Sequence, residues 1–540
     1  MTSKLLVLSL AAGCAAVGPS AGTDPAGGKA DDGSTSGDIT AWPTRPIKLS
    51  TDHAVALDVS PDGARVAYSR DAADYTAWGC WGRAGIGDLQ LVDVASPDHP
   101  VAVSSLAGFR ESAFTSDSQW LVYTQYTAGT NPCSDQVSLA AVPSSGGNVA
   151  WLHLGITYYY KQLGVAGTSV AFSAFGGAAN DPGTLYYLGL PGGAGGGYVA
   201  YGAGKTTASP DPTGQAIVYD APDGHLHLRS RAGTAEVDLS TTYPATGAPV
   251  WSPDGSLLAI SWVQGESRAV TVMARDGSNP RTLLGGCDRD AVFSPDGSTI
   301  ACLGGWGSGK GTLAVARVAD GTSFTLGGLP DPQPGNGWWY FTSDGGFVHY
   351  VDAGASFLAY SLYVAPIAAG ASFTQVTDSL DLEQETYTAA HDRLAYVALD
   401  ASYVKSLVVV QPNGDHTTAI ASGAETARYE QATAAPRLAV VASDAMELLA
   451  GDGSGPAVSL PGKAERIPAP LWSGRTVLYA VNKRSIAGED AYDLIAASDD
   501  GAQVGVVLSG VTRVAQARQG NRLFLARAAG VGGGVYVFDL

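Results

Sequence analysis

Side chains whose types and spacing could do chemistry are few in this 540-residue chain. His225 and His227 alternate, so on a strand they would share one face and could start a metal site from two imidazole nitrogens. Further ligands would have to come from other parts of the chain, and spacing identifies none. The expectation is therefore two exposed strand histidines, with no metal, no cofactor and no catalytic residue. Two stretches imitate a phosphate loop. In Gly202-Ala203-Gly204-Lys205-Thr206 the leading glycine is replaced by Val199, and Pro210 and Pro212 oppose the helix that should follow. In the other, Gly309-Lys310 is followed by Gly311 where a hydroxyl should meet magnesium. Both sit between strand-like runs, whereas a phosphate cradle needs a strand-to-helix turn. Gly451-Asp452-Gly453-Ser454-Gly455 reads as a hairpin turn and not as a calcium loop.

The cysteines carry a different chemistry. Cys287 and Cys302 flank a hairpin centred on Pro295-Asp296, which would bring them nearly opposite one another and allow a disulfide. Cys80 and Cys133 fall in corresponding long loops of neighbouring units and could form a second bridge. An even number in an exported chain favours bridges over metal ligation, although the pairing stays open. A binding surface is expected on the long loops, with Tyr75, Trp78, Trp81, Arg83, Tyr126, Trp306 and Lys310 as its residues. Taken singly, each aromatic could equally cover the end of a sheet.

The elements that would position these residues come from a repeat. Ser60-Pro61-Asp62-Gly63, Ser252-Pro253-Asp254-Gly255 and Ser294-Pro295-Asp296-Gly297 each precede an apolar run. Proline presets φ, serine and aspartate bond nearby backbone, and glycine suits the exit, so each tetrapeptide reads as a turn inside a β-hairpin. Weaker copies are Thr115-Ser116-Asp117-Ser118, Ser209-Pro210-Asp211 and Thr342-Ser343-Asp344-Gly345. Further units keep only the strand, near Val170, Leu394, Leu438, Val477 and Leu523. That makes about eleven units, a spacing of roughly 40 to 55 residues, and hence the four-stranded blades of an all-β propeller. Val535-Tyr536-Val537-Phe538 is the candidate for a closing strand.

At the N-terminus, Lys4 precedes the apolar run Leu5 to Ala12 and then Gly13-Cys14. The run is too short to span a bilayer and resembles a bacterial lipoprotein signal, which implies lipidation of Cys14. An ordinary signal peptide cut nearby is the alternative. The segment 15–41 is Gly, Ala, Ser, Thr and Asp for most of its length, and reads as a flexible tether. Seventy glycines, 24 tyrosines and 11 tryptophans with only 15% charged residues suit a turn-rich β protein. A formal charge of −19 excludes a basic stripe for phosphate backbones, so nucleic acid is not an expected partner.

The repeated apolar-x-x-Ser-Pro-Asp-Gly pattern resembles the propeller repeats of TolB-like proteins and of the propeller domains in prolyl-oligopeptidase-type and tricorn peptidases. The resemblance covers residues from about 50 to the end and implies an envelope binding or scaffolding role. It implies no activity, because the motif residues are turn residues and no Gly-x-Ser-x-Gly nucleophile elbow occurs. The expected layout is a signal peptide over 1–14, a tether over 15–41, one propeller over 42–328 and a second over 329–540, divided at the proline-rich run from Leu329. One large ring is the alternative. The expected function is a non-catalytic, lipid-anchored or secreted envelope protein that binds a protein or glycan partner and touches membrane only through its lipid. A carbohydrate lyase or hydrolase with a channel site is the alternative.

Overall fold

The computed structural model describes residues 43–539 apart from 53, 74–85, 127–135, 158–162, 168, 175–183, 191–196, 202–207, 222, 232–235, 245–247, 266, 289–290, 305–310, 330–336, 343–344, 353–359, 389–392, 400–403, 412–414, 421, 430–435, 466–469, 474, 487 and 518–521. Each strong copy of the turn closes in the same way. Ser60 donates its hydroxyl to Asp62 at 2.6 Å and accepts the Arg65 amide at 2.9 Å, while Asp62 accepts the Ala64 amide at 3.0 Å. Ser252 with Asp254, Ser294 with Asp296 and Thr115 with Asp117 repeat the 2.6 Å bond. The fourth residue has φ of 68° at Gly63 and Gly255, a backbone that glycine adopts without strain. Ser118 holds φ 62° at that place, and its hydroxyl accepts the Asp62 amide at 3.0 Å, tying two turns together.

One copy lies two residues away from its expected position. Ser209-Pro210-Asp211 matches by residue type, but the turn runs from Asp211 to Gly214, whose amide bonds the Asp211 carbonyl at 2.9 Å. The buried Asp211 carboxylate replaces the serine hydroxyl and accepts the Thr213 and Gln215 amides at 2.7 and 3.2 Å. Gly214, with φ 69°, decides the register, because it can supply the left-handed exit.

Strands follow the turns as antiparallel meanders of four. Among the described residues, pairing gives eleven units, identified by their second strands: Arg65–Ala73, Trp120–Tyr126, Ser169–Ala174, Ala216–Asp220, Leu257–Gln264, Thr299–Gly304, Phe347–Asp352, Leu394–Leu399, Arg437–Ala442, Thr476–Ile486 and Arg522–Arg527. Val101–Phe114, Thr374–Tyr387 and Val504–Gln516 each serve two units, as the fourth strand of one and the first of the next, with a break of register where the role changes. The N-terminal strand Ile47–Ser50 pairs with Gly534–Asp539 and completes the eleventh unit. Pairing of the two chain ends removes an exposed edge. The chain is an all-β propeller. No helix among the described residues is long and apolar enough to cross a membrane.

Units stack through apolar clusters that each draw on two consecutive units. Ala67, Leu89 and Leu91 of the first meet Phe114, Leu121 and Tyr123 of the second. Leu303, Leu313 and Val315 of the sixth meet Phe341, Val348 and Tyr350 of the seventh. Phe524, Val535 and Val537 of the eleventh meet Val66 and Tyr68 of the first. Tryptophans add ties between first strands, with Trp251 Nε1 donating to the Ser209 carbonyl at 3.0 Å and Trp472 Nε1 to the Arg428 carbonyl at 2.8 Å.

A recurring joint explains where the cysteines sit. Tyr68, on the second strand of unit one, meets the Ser50 hydroxyl at 2.9 Å, at the end of the outer strand of unit eleven. Tyr479 likewise donates to the Pro461 carbonyl at 2.8 Å, just past the outer strand of unit nine. In unit six the corresponding place, five residues after the turn glycine, is Cys302, and it is bonded to Cys287 with Cα atoms 5.7 Å apart. The expected disulfide is present, although Cys287 lies beyond the hairpin's own pairing and its backbone faces Gly304. Val292 and Phe293 face Ala301 and Ile300 across the hairpin, whereas Cys287 ends the outer strand Arg281–Cys287 of unit five. The bridge therefore joins two units.

The turns also make the fold acid-sensitive. The Ser252 hydroxyl, then the Ser256 amide and hydroxyl, hold the Asp254 carboxyl down at about 2. Asp276, Asp320, Asp452 and Asp500 are lowered by the same kind of bond, to Ser278, Thr322, Ser454 and Ser498. A carboxyl whose folded pKa is depressed stabilises the fold above its unfolded pKa, about 3.9 for Asp, and that contribution is lost as pH falls through the folded value. Urea midpoints measured against pH are expected to fall from about pH 4 downward, with a shallower acid limb in Asp254→Asn. An acid limb unchanged in that variant would count against the assignment.

Candidate functional site

Antiparallel order sends the first-to-second and third-to-fourth connections to one face of the ring and the second-to-third connections to the other. The Ser/Thr–Asp turns therefore share a face. The strand ends Ala73 and Ile86, Tyr126 and Gln136, Ala174 and Thr184, and Gly304 and Gly311 lie on the opposite one. Tyr126 ends its strand there, its backbone paired with Val137. The other expected binding residues, Tyr75, Trp78, Trp81, Arg83, Trp306 and Lys310, lie outside the described residues, as do Cys14, Cys80 and Cys133. Gly202–Thr206 and Gly309-Lys310 are also outside, but strands stand on both sides of each: Gly197–Tyr201 and Ala208–Pro210, then Thr299–Gly304 and Gly311–Arg317. Among the described residues, each is followed by a strand and not by the helix N-terminus that a phosphate would need.

The turn face holds an open pocket of about 370 Å³, lined by Ala216, Ser230, Ser256, Ala274, Arg275 and Asp276. Its cation is already committed. Arg275 Nε donates to the Gly255 carbonyl at 2.7 Å and lies 3.6 Å from the buried Asp211 carboxylate.

Among the described residues, the cluster of titratable groups on the long-loop face that carries two histidines is in unit four. Leu226–Ser230 is the third strand, and its alternation buries Leu226 and Leu228 while His227 and Arg229 face outward with His225 just before them. The outer strand Glu236–Asp238 pairs with it, His227 opposite Asp238 and Arg229 opposite Glu236. Asp223, in the preceding turn, accepts the His225 amide at 2.9 Å and lies 3.2 Å from His227 Nε2. His225 Nδ1 is 2.8 Å from Asp238 Oδ2, and His227 Nδ1 is 3.4 Å from Glu236 Oε2. The His225 side chain is 44% exposed and that of His227 15%. Hydrogen bonding to Asp238 raises the pKa of His225, and the same bond lowers that of Asp238. The His225 amide, foremost, lowers that of Asp223.

Sequence reasoning found the two histidines and missed Asp223, Glu236 and Asp238. The available signal was the alternation Asp-x-His-x-His followed by Glu-x-Asp nine residues after His227, provided both runs are read as paired strands.

No protein-family model matches the chain, and no characterised protein matches it by sequence. Solved structures that it resembles include a eukaryotic initiation factor, at 13% identity over 60% of this chain and 78% of that one with a TM-score of 0.38. TolB from Acinetobacter baumannii is similar at 13% identity over 55% of this chain and 78% of its own, with a TM-score of 0.26. The tricorn protease is similar at 11% identity over 90% of this chain and 57% of its own, with a TM-score of 0.27. The propeller assignment rests on the strand pairing of the chain itself.

Proposed function

We propose that the chain is a non-catalytic propeller, held in the bacterial envelope through lipid on Cys14, that binds a protein or glycan through the face opposite its Ser/Thr–Asp turns. The asymmetry of the two faces carries this reading. On the turn face the polar side chains are consumed by the turns themselves: in units one, two, five and six the hydroxyl bonds its aspartate at 2.6 Å and that aspartate caps a backbone amide. The opposite face receives the long second-to-third connections, in which the sequence places Trp78, Trp81, Arg83, Trp306 and Lys310. Aromatic and arginine side chains supply most of the energy where proteins bind one another, at 2 kcal/mol or more for a central residue.

The test is a glycan array together with cross-linked capture from envelope extracts, using the full chain and a Trp78→Ala, Trp81→Ala, Trp306→Ala triple variant. The triple variant is expected to lose at least about 30-fold in affinity for whatever the parent captures, by the same energetics, with an unchanged melting temperature. Asp254→Asn, on the turn face, is expected to bind as the parent does. A triple variant that binds normally would move the partner to another surface.

A further inference from the structure

We infer that Asp223, His225 and His227 hold a divalent transition-metal ion on the rim of unit four, with Asp238 and Glu236 orienting the two imidazoles. One candidate ligand atom from each of the three residues lies within 4.8 Å of the other two. Around a tetrahedral zinc with ligands at ~2.0–2.1 Å, donor atoms stand roughly 3.3–3.4 Å apart, so small side-chain rotations close the set. Each ring also has a carboxylate beside its Nδ1, Asp238 at 2.8 Å from His225 and Glu236 at 3.4 Å from His227. A carboxylate in that place fixes the tautomer that turns Nε2 to a metal and raises the basicity of the ligand.

His227 shows the arrangement most clearly. Its Nδ1 is buried and makes no hydrogen bond, while its Nε2 lies 3.2 Å from Asp223 Oδ2. Coordination through Nε2 would place the ring proton on Nδ1, where Glu236 can accept it. Glu236 is itself held by the Tyr219 hydroxyl at 2.7 Å and lies 3.5 Å from the Arg229 guanidinium. Asp223, Glu236 and Asp238 outnumber that one guanidinium, so the rim attracts a cation. Two imidazoles with one carboxylate suit Zn²⁺, Cu²⁺ or Ni²⁺, whereas Ca²⁺ and Mg²⁺ prefer all-oxygen sets. The ligands sit in the second-to-third connection and at the start of the third strand, away from the innermost strand. Three protein ligands leave a tetrahedral ion one open position.

Isothermal titration of zinc into the metal-free full chain, carrying no added histidines, tests this. One equivalent is expected to bind at micromolar affinity or tighter. His227→Ala and Asp223→Ala are each expected to weaken binding by roughly a hundredfold or more, and Asp238→Asn by roughly 10- to 100-fold through its effect on His225. His99→Gln, remote from the cluster in sequence and exposed, is expected to leave binding unchanged. Melting of each variant without zinc should match the parent, which separates lost ligation from lost folding. Absence of saturable binding, or binding that survives both His227→Ala and Asp223→Ala, would overturn the assignment.

Discussion

Residues 42–328 and 329–540, produced as separate polypeptides, are expected not to fold. The cut passes through the packing of unit six on unit seven and also separates unit eleven from unit one. The first piece would bare Leu303, Leu313, Val315 and Leu326 at one end and Leu49, Val66, Tyr68 and Val92 at the other. The second would bare Phe341, Val348, Tyr350 and Phe373, and Phe524, Val535 and Val537. At about 1.5–3 kcal/mol for each large side chain returned to water, either piece loses on the order of 10–20 kcal/mol. A whole domain has about 5–15 kcal/mol of net stability. Near-ultraviolet circular dichroism and thermal melting of each piece decide the matter, with the two pieces mixed expected to recover a cooperative transition. A piece that melts cooperatively alone would have closed on itself, and the division at the proline-rich run from Leu329 would then separate two propellers.

Removal of the N-terminal closing strand is the second large expected effect. A chain beginning at Ala54 lacks the partners of Val535, Tyr536 and Val537. It also loses Leu49, which is 3% exposed, the Ser50 contact to Tyr68, and the Lys48 ammonium 5.6 Å from the Tyr536 ring. Burial of one leucine at about 2–3 kcal/mol and a few ladder hydrogen bonds at about 1 kcal/mol each sum to roughly 5 kcal/mol. The strand Gly534–Asp539 would then present an open edge, so association at high concentration is expected as well. Urea unfolding and light scattering measure the two consequences. Ile47→Thr is the control: Ile47 is 58% exposed, and a change within about 0.5 kcal/mol is expected. Full stability in the shortened chain would show that closure does not depend on this strand.

The sequence by itself determined the β units and their turns. A Ser-Pro-Asp-Gly run specifies its own hydrogen bonds within six residues, and a second strand such as Val66-Ala67-Tyr68 declares itself by composition. The closing strand at Val535 was legible as a late apolar run, because ring closure pairs a strand from each end of the chain. Legibility ended where the outcome depended on register or on which units touch. Asp211 matched the motif by type, but the left-handed φ of Gly214 set the turn elsewhere. Cys287 and Cys302 are 15 residues apart around a hairpin, yet they join two units, because the chain passes from the outer strand of unit five into unit six after Arg281–Cys287. The histidine cluster shows the limit most plainly. His225 and His227 are two residues apart in any reading, but their approach to Glu236 and Asp238 follows from pairing with the outer strand, and only tertiary structure selects among possible registers. Local hydrogen bonding and alternation are written residue by residue, whereas distances between units arise from the packing of surfaces that no short segment contains.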